Sequence, residues 1–171
     1  MKSPSIWLHI RDILILPGIV CIVIPFALSH IDSHPFPDSD ALRYAGATIF
    51  MIGLILWAIP VYLFWKMAYG TLAPWQPTQK LVIYGPFRYT RNPMITGVLF
   101  ILLGEALYLN ATGVLCWTIW FFFMNTMYFI FKEEPSMLAR FGDDYAQYKA
   151  NVPRWLPRLT AWRGDGSSQE A

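Results

Sequence analysis

The residues best equipped for chemistry fall into two short stretches. One is Arg88-Tyr89-Thr90-Arg91-Asn92; the other is the acidic pair Glu133-Glu134. A ligand site needs a concave place with a few convergent polar groups. Arg88, Arg91, Asn92 and Glu133 supply such groups, and Phe87 and Tyr145 supply an aromatic wall. A ligand carrying positive and negative charges together with hydroxyls suits that set. The competing reading of Glu133-Glu134 is a charged stop at the end of an apolar segment, paired with Lys132 and Arg140. A third carboxylate, Glu105, lies alone within an apolar run. It reads either as a group lining a substrate tunnel or as a side chain hydrogen-bonded to Asn125, Tyr108 or water. The two cysteines, Cys21 and Cys116, read as apolar filler. His30 and His34, in a loop with three aspartates, match no metal-site spacing, and no metal site is expected.

Those residues must be positioned by a chain that is not built like a soluble domain. Of 171 residues, 56% are apolar, 17% aromatic and only 14% charged. A soluble domain carries about a quarter charged residues. The net charge of +2 leaves no footprint for nucleic acid. The apolar residues form four blocks: Ile13 to Ser29, Tyr44 to Trp65, Met94 to Leu109 and Ala111 to Phe131. A bilayer core takes about 20 helical residues, so an all-α bundle of four transmembrane helices is expected, the third of them short. A cleaved signal peptide is the rival reading of residues 1–29.

Sorting Lys and Arg by flank puts twelve on one side of four spans and only Arg43 on the other. The positive-inside rule places both termini in the cytoplasm. The expected location is a bacterial inner membrane, crossed several times. A single integral membrane domain is expected over residues 1–163, with a disordered polar tail over 164–171.

Local signals refine this plan. Pro17, Gly18 and Pro25 predict a kinked first helix. Gly46 and Gly53, seven apart, let the second helix approach a neighbour closely. Asn92 reads as an N-cap and Pro93 as the first residue of the third helix. The short Asn110-to-Gly113 connection makes the third and fourth helices an antiparallel hairpin. Pro135 opens a further amphipathic helix to about Asn151, with Met137, Leu138, Phe141, Tyr145 and Tyr148 on one face. That cytoplasmic helix is expected against the membrane or against the loop before the third helix.

The run Gly85-Pro86-Phe87-Arg88-Tyr89-Thr90-Arg91-Asn92-Pro93-Met94-Ile95-Thr96-Gly97 opens a membrane helix. It is followed by Glu133-Glu134, Phe141-Gly142-Asp143-Asp144-Tyr145, Tyr148 and Val152-Pro153-Arg154. This ordered set resembles the isoprenylcysteine carboxyl methyltransferase and phospholipid methyltransferase superfamily over about Gln79 to Pro157. The resemblance implies an integral membrane enzyme that uses S-adenosylmethionine in a cytoplasmic pocket roofed by the C-terminal segment. It carries cofactor contacts to Gln79, Lys80, Leu81 and Val82, to Phe87, to Asn92, Pro93, Met94 and Ile95, and to Glu133. Arg91, Asn92 and Glu133 become the catalytic candidates. The family commonly reads Arg-His-Pro-x-Tyr where this chain has Arg91-Asn92-Pro93-Met94-Ile95. Prenylcysteine enzymes place an Arg where this chain has Phe129. Phe129, Glu134 and Arg154 are therefore the candidates for meeting the substrate.

The implied activity is methyl transfer to a lipophilic small molecule or lipid arriving from the bilayer. Direct displacement needs alignment and exclusion of water rather than a covalent enzyme intermediate. Two rivals stay open: an NADPH-dependent membrane reductase of the steroid-reductase type, and a non-catalytic membrane protein with a vestigial pocket.

Overall fold

A computed structural model describes residues 17–30, 35–67, 81 and 83–163, the side chains of 64–67 excepted. Among the described residues the fold is all helix, with no strand. Helix α1 covers Ile24–Ser29 and follows a π turn at Ile19–Val23. Helix α2 covers Asp40–Met67. A 3-10 turn at Gly85–Arg88 leads to α3, Pro93–Tyr108. Helix α4 covers Thr112–Tyr128, and a π turn at Phe129–Glu133 joins it to α5, Glu134–Asn151. Two helical runs, Asp40–Leu63 and Thr112–Asn151, are long and apolar enough to cross a membrane. Ile19–Ser29 and Pro93–Tyr108 are shorter apolar helices. At 1.5 Å per residue, the 16 residues of α3 span ~24 Å, less than the ~30 Å of a hydrocarbon core.

Helices α2 and α3 pack through glycine. A Cβ at Gly46 would meet the Tyr108 nitrogen at 2.6 Å, and one at Gly53 would meet the Ile101 nitrogen at 2.6 Å. From the other side, a Cβ at Gly97 would meet the Trp57 nitrogen at 2.5 Å and one at Gly104 the Phe50 nitrogen at 2.5 Å. All four neighbours are backbone atoms that no rotamer change can move away. Two glycines seven apart on each helix therefore form one antiparallel seam. Gly46 faces Gly104, and Gly53 faces Gly97. Such glycine seams are the means by which helices associate in lipid, where close van der Waals contact replaces the hydrophobic drive.

The two π turns share one cause. Each ends two residues before a proline: Val23 before Pro25, and Glu133 before Pro135. Proline has no N–H to give and its ring crowds the preceding turn. Widening that turn moves the Ile24 N–H to the Ile19 carbonyl and the Glu134 N–H to the Phe129 carbonyl. The next carbonyl in the first turn, Val20, then faces Pro25 and has no donor in its own helix. The Trp117 indole supplies one at 3.2 Å, tying the first helix to α4. This π turn is the form taken by the kink expected from Pro17, Gly18 and Pro25.

The helix expected from Pro135 to about Asn151 is α5, with Pro135 in its first turn, and it is joined to α4 through the π turn rather than by a loop. It is not uniform, because Gly142 at φ 52°, ψ −128° kinks it in a backbone conformation that only glycine adopts at little cost. After the kink, Tyr145, Tyr148 and Val152 are buried against Leu81, Ile83 and Trp162, with Met137 and Phe141 alongside. Leu138 leaves that face and is exposed.

At the opposite end, Asn110 occupies the left-handed region at φ 51° between α3 and α4. Its side chain accepts from the Phe36 N–H at 3.1 Å and donates to the Phe36 carbonyl at 2.8 Å, holding the loop before α2. Cys21 is buried in the core formed with Val98, Ile101 and Leu102, and Cys116 is exposed.

Candidate functional site

The 3-10 turn ending at Arg88 leads through Tyr89, Thr90 and Arg91 into α3, and the chain after α5 comes back along this run. The Arg91 N–H donates to the Pro153 carbonyl at 2.9 Å, the Arg158 N–H to Tyr89 at 2.9 Å and the Trp162 N–H to Arg88 at 3.0 Å. The Thr90 hydroxyl donates to the Arg154 carbonyl at 2.9 Å, and the Arg88 guanidinium donates through Nε to the Trp162 carbonyl at 2.6 Å. Tyr148 Oη donates to the Phe87 carbonyl at 2.6 Å. Residues 148–162 are thus laced over residues 87–91 as a cap on the N-terminal end of α3.

Glu134 fastens the cap. Its Oε1 accepts from Arg91 Nη1 at 2.8 Å and from Arg154 Nε and Nη2 at 2.8 and 2.6 Å, while Lys149 Nζ lies 2.9 Å from Oε2. Its side chain is only 7% exposed. Burial by itself would raise this carboxyl. The hydrogen bonds from Lys149 and Arg154 and the charges of Arg91 and Arg154 outweigh it, and the group is held below the usual carboxylate range. Three cations from three elements meet on one carboxylate, and none of them is Lys132 or Arg140, the partners expected from proximity in sequence.

Glu133 differs from its neighbour. It is partly buried, and burial, reinforced by the Glu134 charge, pushes its carboxyl up to about 7 against the opposing pull of Arg140 and Arg91. Two adjacent carboxylates thus divide: one is ionised and committed to the cap, and the other is poised near neutrality. Tyr145 and Tyr148 are both raised, chiefly by burial.

The structure sets out the other expected residues as follows. Arg91 is a cap residue, yet its buried Nε has no hydrogen-bond partner. Asn92 precedes α3 but makes no side-chain capping bond; its carbonyl accepts from the Thr96 N–H at 3.0 Å and the Thr96 hydroxyl at 2.9 Å. Pro93 is buried at the first turn, as expected, with Met94 and Ile95 partly buried behind it. Phe87 and Tyr145 are both buried, so neither presents an open wall. Leu81 packs beneath Tyr145 and Tyr148. Gln79, Lys80 and Val82 lie outside the described residues. Phe129 is buried in the π turn, its ring 5.6 Å from Trp155. Arg154 and Glu134, both candidates for substrate, are bound to each other. Glu105 is not tied to Asn125, whose amide donates to the Phe121 carbonyl at 2.8 Å; Glu105 Oε2 is buried without a hydrogen-bond partner. Among the described residues no group of His, Cys, Asp and Glu is arranged to hold a metal.

Residues 42–144 match the phospholipid methyltransferase family. The chain belongs to that family. The match begins in α2, covers the glycine seam and the α3 N-terminus, and ends in α5 just before Tyr145. The family implies a methyltransferase acting on a lipid-like substrate, in keeping with the superfamily resemblance of the motifs. No match was found among curated proteins or among solved structures. The hub around Glu134 draws Lys149 and Arg154 from beyond the matched residues of this phospholipid methyltransferase family member. Sequence reasoning missed Gly97 and Gly104, although their spacing of seven repeats that of Gly46 and Gly53. It also missed the bond from Tyr148 to the Phe87 backbone, for which no sequence signal exists.

Proposed function

We propose that this family member transfers a methyl group from S-adenosylmethionine to a lipophilic acceptor at the cytoplasmic face of a membrane it crosses four times. The observation that carries the reading is the division of labour at Glu133-Glu134, next to the uncapped α3 N-terminus. The Met94 and Ile95 N–H groups stand ahead of the α3 hydrogen-bond ladder, at the positive end of the helix dipole. Together with Arg91, whose Nε has no hydrogen-bond partner, they are donors of the kind a carboxylate would take. Glu133 fits the opposite charge, accepting hydrogen bonds from an ammonium or from ribose hydroxyls. S-adenosylmethionine carries all of these groups, and when bound it supplies an electrophilic methyl on a sulfonium.

The chain's own contribution is binding, orientation and exclusion of water. The α3 N-terminus and Arg91 hold the anionic end, and Glu133 holds the cationic end. With the cap over both ends, water would be excluded and the bound methyl would be held for an acceptor approaching through the bilayer. A thiolate, a carboxylate or an amine that arrives deprotonated needs no base in the protein at the transfer step. Phe129, lodged against Trp155, has no charge to offer an acceptor carboxylate, and Arg154 is committed to Glu134. A prenylcysteine carboxylate would therefore lack a bidentate partner, and a less acidic lipid is the favoured acceptor.

The test is incubation of membranes containing the protein with methyl-labelled S-adenosylmethionine, followed by extraction and identification of the labelled product. Label in a lipid-soluble product is the expected result. Tight binding of NADPH without methyl transfer would replace this reading with the reductase. Efficient methylation of a farnesylated cysteine analogue, abolished by Arg154→Ala, would overturn the acceptor assignment.

A further inference from the structure

The cap carries an apolar edge that is exposed among the described residues. Leu156 is 80% exposed and Leu159 fully exposed. They follow Trp155, whose ring lies 5.2 Å from Phe122 and 5.6 Å from Phe129. Phe129 and Phe122 are three and ten residues before Lys132, the first charge after the fourth apolar block. At 1.5 Å per residue, the indole is bracketed between about 4.5 and 15 Å along the helix from that charged boundary, on its apolar side.

Part of the backbone there is paired within the protein: Pro157 has no N–H to satisfy, and the Arg158 N–H donates to the Tyr89 carbonyl at 2.9 Å. The Arg154 side chain is neutralised by Glu134. The charge pattern points the same way. From Tyr145 to Arg163 there is no Asp or Glu, while Lys149, Arg154, Arg158 and Arg163 are all basic. Basic residues beside exposed leucines match a surface that is apolar beneath and anionic above.

We propose that Trp155 to Leu159 is an interfacial anchor, its two leucines inserted into the cytoplasmic leaflet of an anionic membrane. The anchor holds the cap of the candidate site at the lipid surface from which an acceptor would enter. It rests on the membrane reading above but not on the identity of the cofactor or on methyl transfer.

The test uses the full chain in lipid nanodiscs, in a Cys116→Ala background where only the buried Cys21 remains. Nitroxide labels are placed at Leu156→Cys and Leu159→Cys, with Ile55→Cys as the lipid reference and Asp144→Cys as the water reference. Collision with oxygen and with a water-soluble nickel chelate is then compared. The expected result is that both leucine sites favour oxygen severalfold over the chelate relative to Asp144, in the sense shown by Ile55. Replacing phosphatidylcholine with a mixture containing phosphatidylglycerol is expected to deepen the Leu159 label. Leu159 is fully exposed, so it keeps the test available if a label at Leu156 disturbs Trp155. Leucine sites that read like Asp144 while Ile55 reads as lipid would overturn the anchor and leave the membrane reading standing. An Ile55 label that reads as water would overturn both. Depths unmoved by phosphatidylglycerol would overturn the anionic partner.

Discussion

The seam between α2 and α3 and the cap around Glu134 join distant parts of the chain by opposite means. In the seam, four glycines bring backbone against backbone, with a missing Cβ as the only device. In the cap, a buried carboxylate collects Arg91, Lys149 and Arg154, and backbone groups of 88–91 pair with those of 153–162. Apolar surfaces give helices no reason to associate in lipid, so shape must provide specificity there. Where water is near, desolvated charges can do so, because an unmatched one is expensive. The comparison teaches that one helix is fastened sterically along its length and ionically at its start, and that the candidate site lies where the two meet, at the α3 N-terminus.

The sharpest way to break the comparison is at the seam. Gly53→Leu places a side chain where even a Cβ would meet backbone at 2.6 Å. No relaxation short of separating the helices relieves it. The expected outcome is loss of a monodisperse, cooperatively unfolding protein, read by size-exclusion chromatography and thermal unfolding in detergent. The same substitution at Gly18, whose Cβ would meet nothing, is the control expected to fold.

Next in size is Glu134→Ala, which strands three cations. Breaking a buried ion pair by removing one partner costs about 3–5 kcal/mol. A loss of that size in chemical denaturation is expected, together with faster proteolysis after α5. A loss below ~1 kcal/mol, typical of an exposed pair, would show that the hub is not the fastener.

Glu133→Gln separates binding from folding. Removing a charge-assisted hydrogen bond is expected to weaken S-adenosylmethionine by about 1.5–3 kcal/mol, read by calorimetric titration, with thermal stability unchanged. The pH dependence has a definite sign. With its carboxyl raised to about 7 in the free protein, Glu133 must lose a proton before it can hold a cation. Affinity should fall as pH drops below 7 and level off above it, and Glu133→Gln should flatten that profile. An unchanged profile would remove Glu133 from the site.

The smallest effect is expected at Tyr148→Phe, which removes the bond to the Phe87 carbonyl and keeps the packing with Tyr145 and Trp162. A loss of about 1 kcal/mol is expected, seen as earlier hydrogen exchange in 87–91 without global unfolding.

Much of the helix plan is legible in the sequence because it follows local rules. Apolar blocks bounded by charge mark α2 and α4, Pro93 opens α3, and Asn110 makes the turn to α4. The motif from Gly85 to Gly97 and the Glu133-Glu134 pair identify the family, because those residues sit in order along the chain. Other features are less visible. The π turns depend on how a helix absorbs a proline, by breaking or by widening, and the deciding carbonyl at Val20 is satisfied by Trp117, almost a hundred residues away. The kink at Gly142 reads equally well as an ordinary small residue in a helix.

The sequence by itself determined the all-helical plan, the clustering of basic residues and the family, because composition, period and ordered motifs are properties of the chain alone. Only the tertiary structure decided which of two adjacent glutamates fastens the cap and which stays free to titrate. Glu133 and Glu134 are indistinguishable by type and nearly so by position. What separates them is which one turns toward Arg91 and Arg154, and those partners, 43 and 20 residues away, come within reach only when the C-terminal segment folds back over α3.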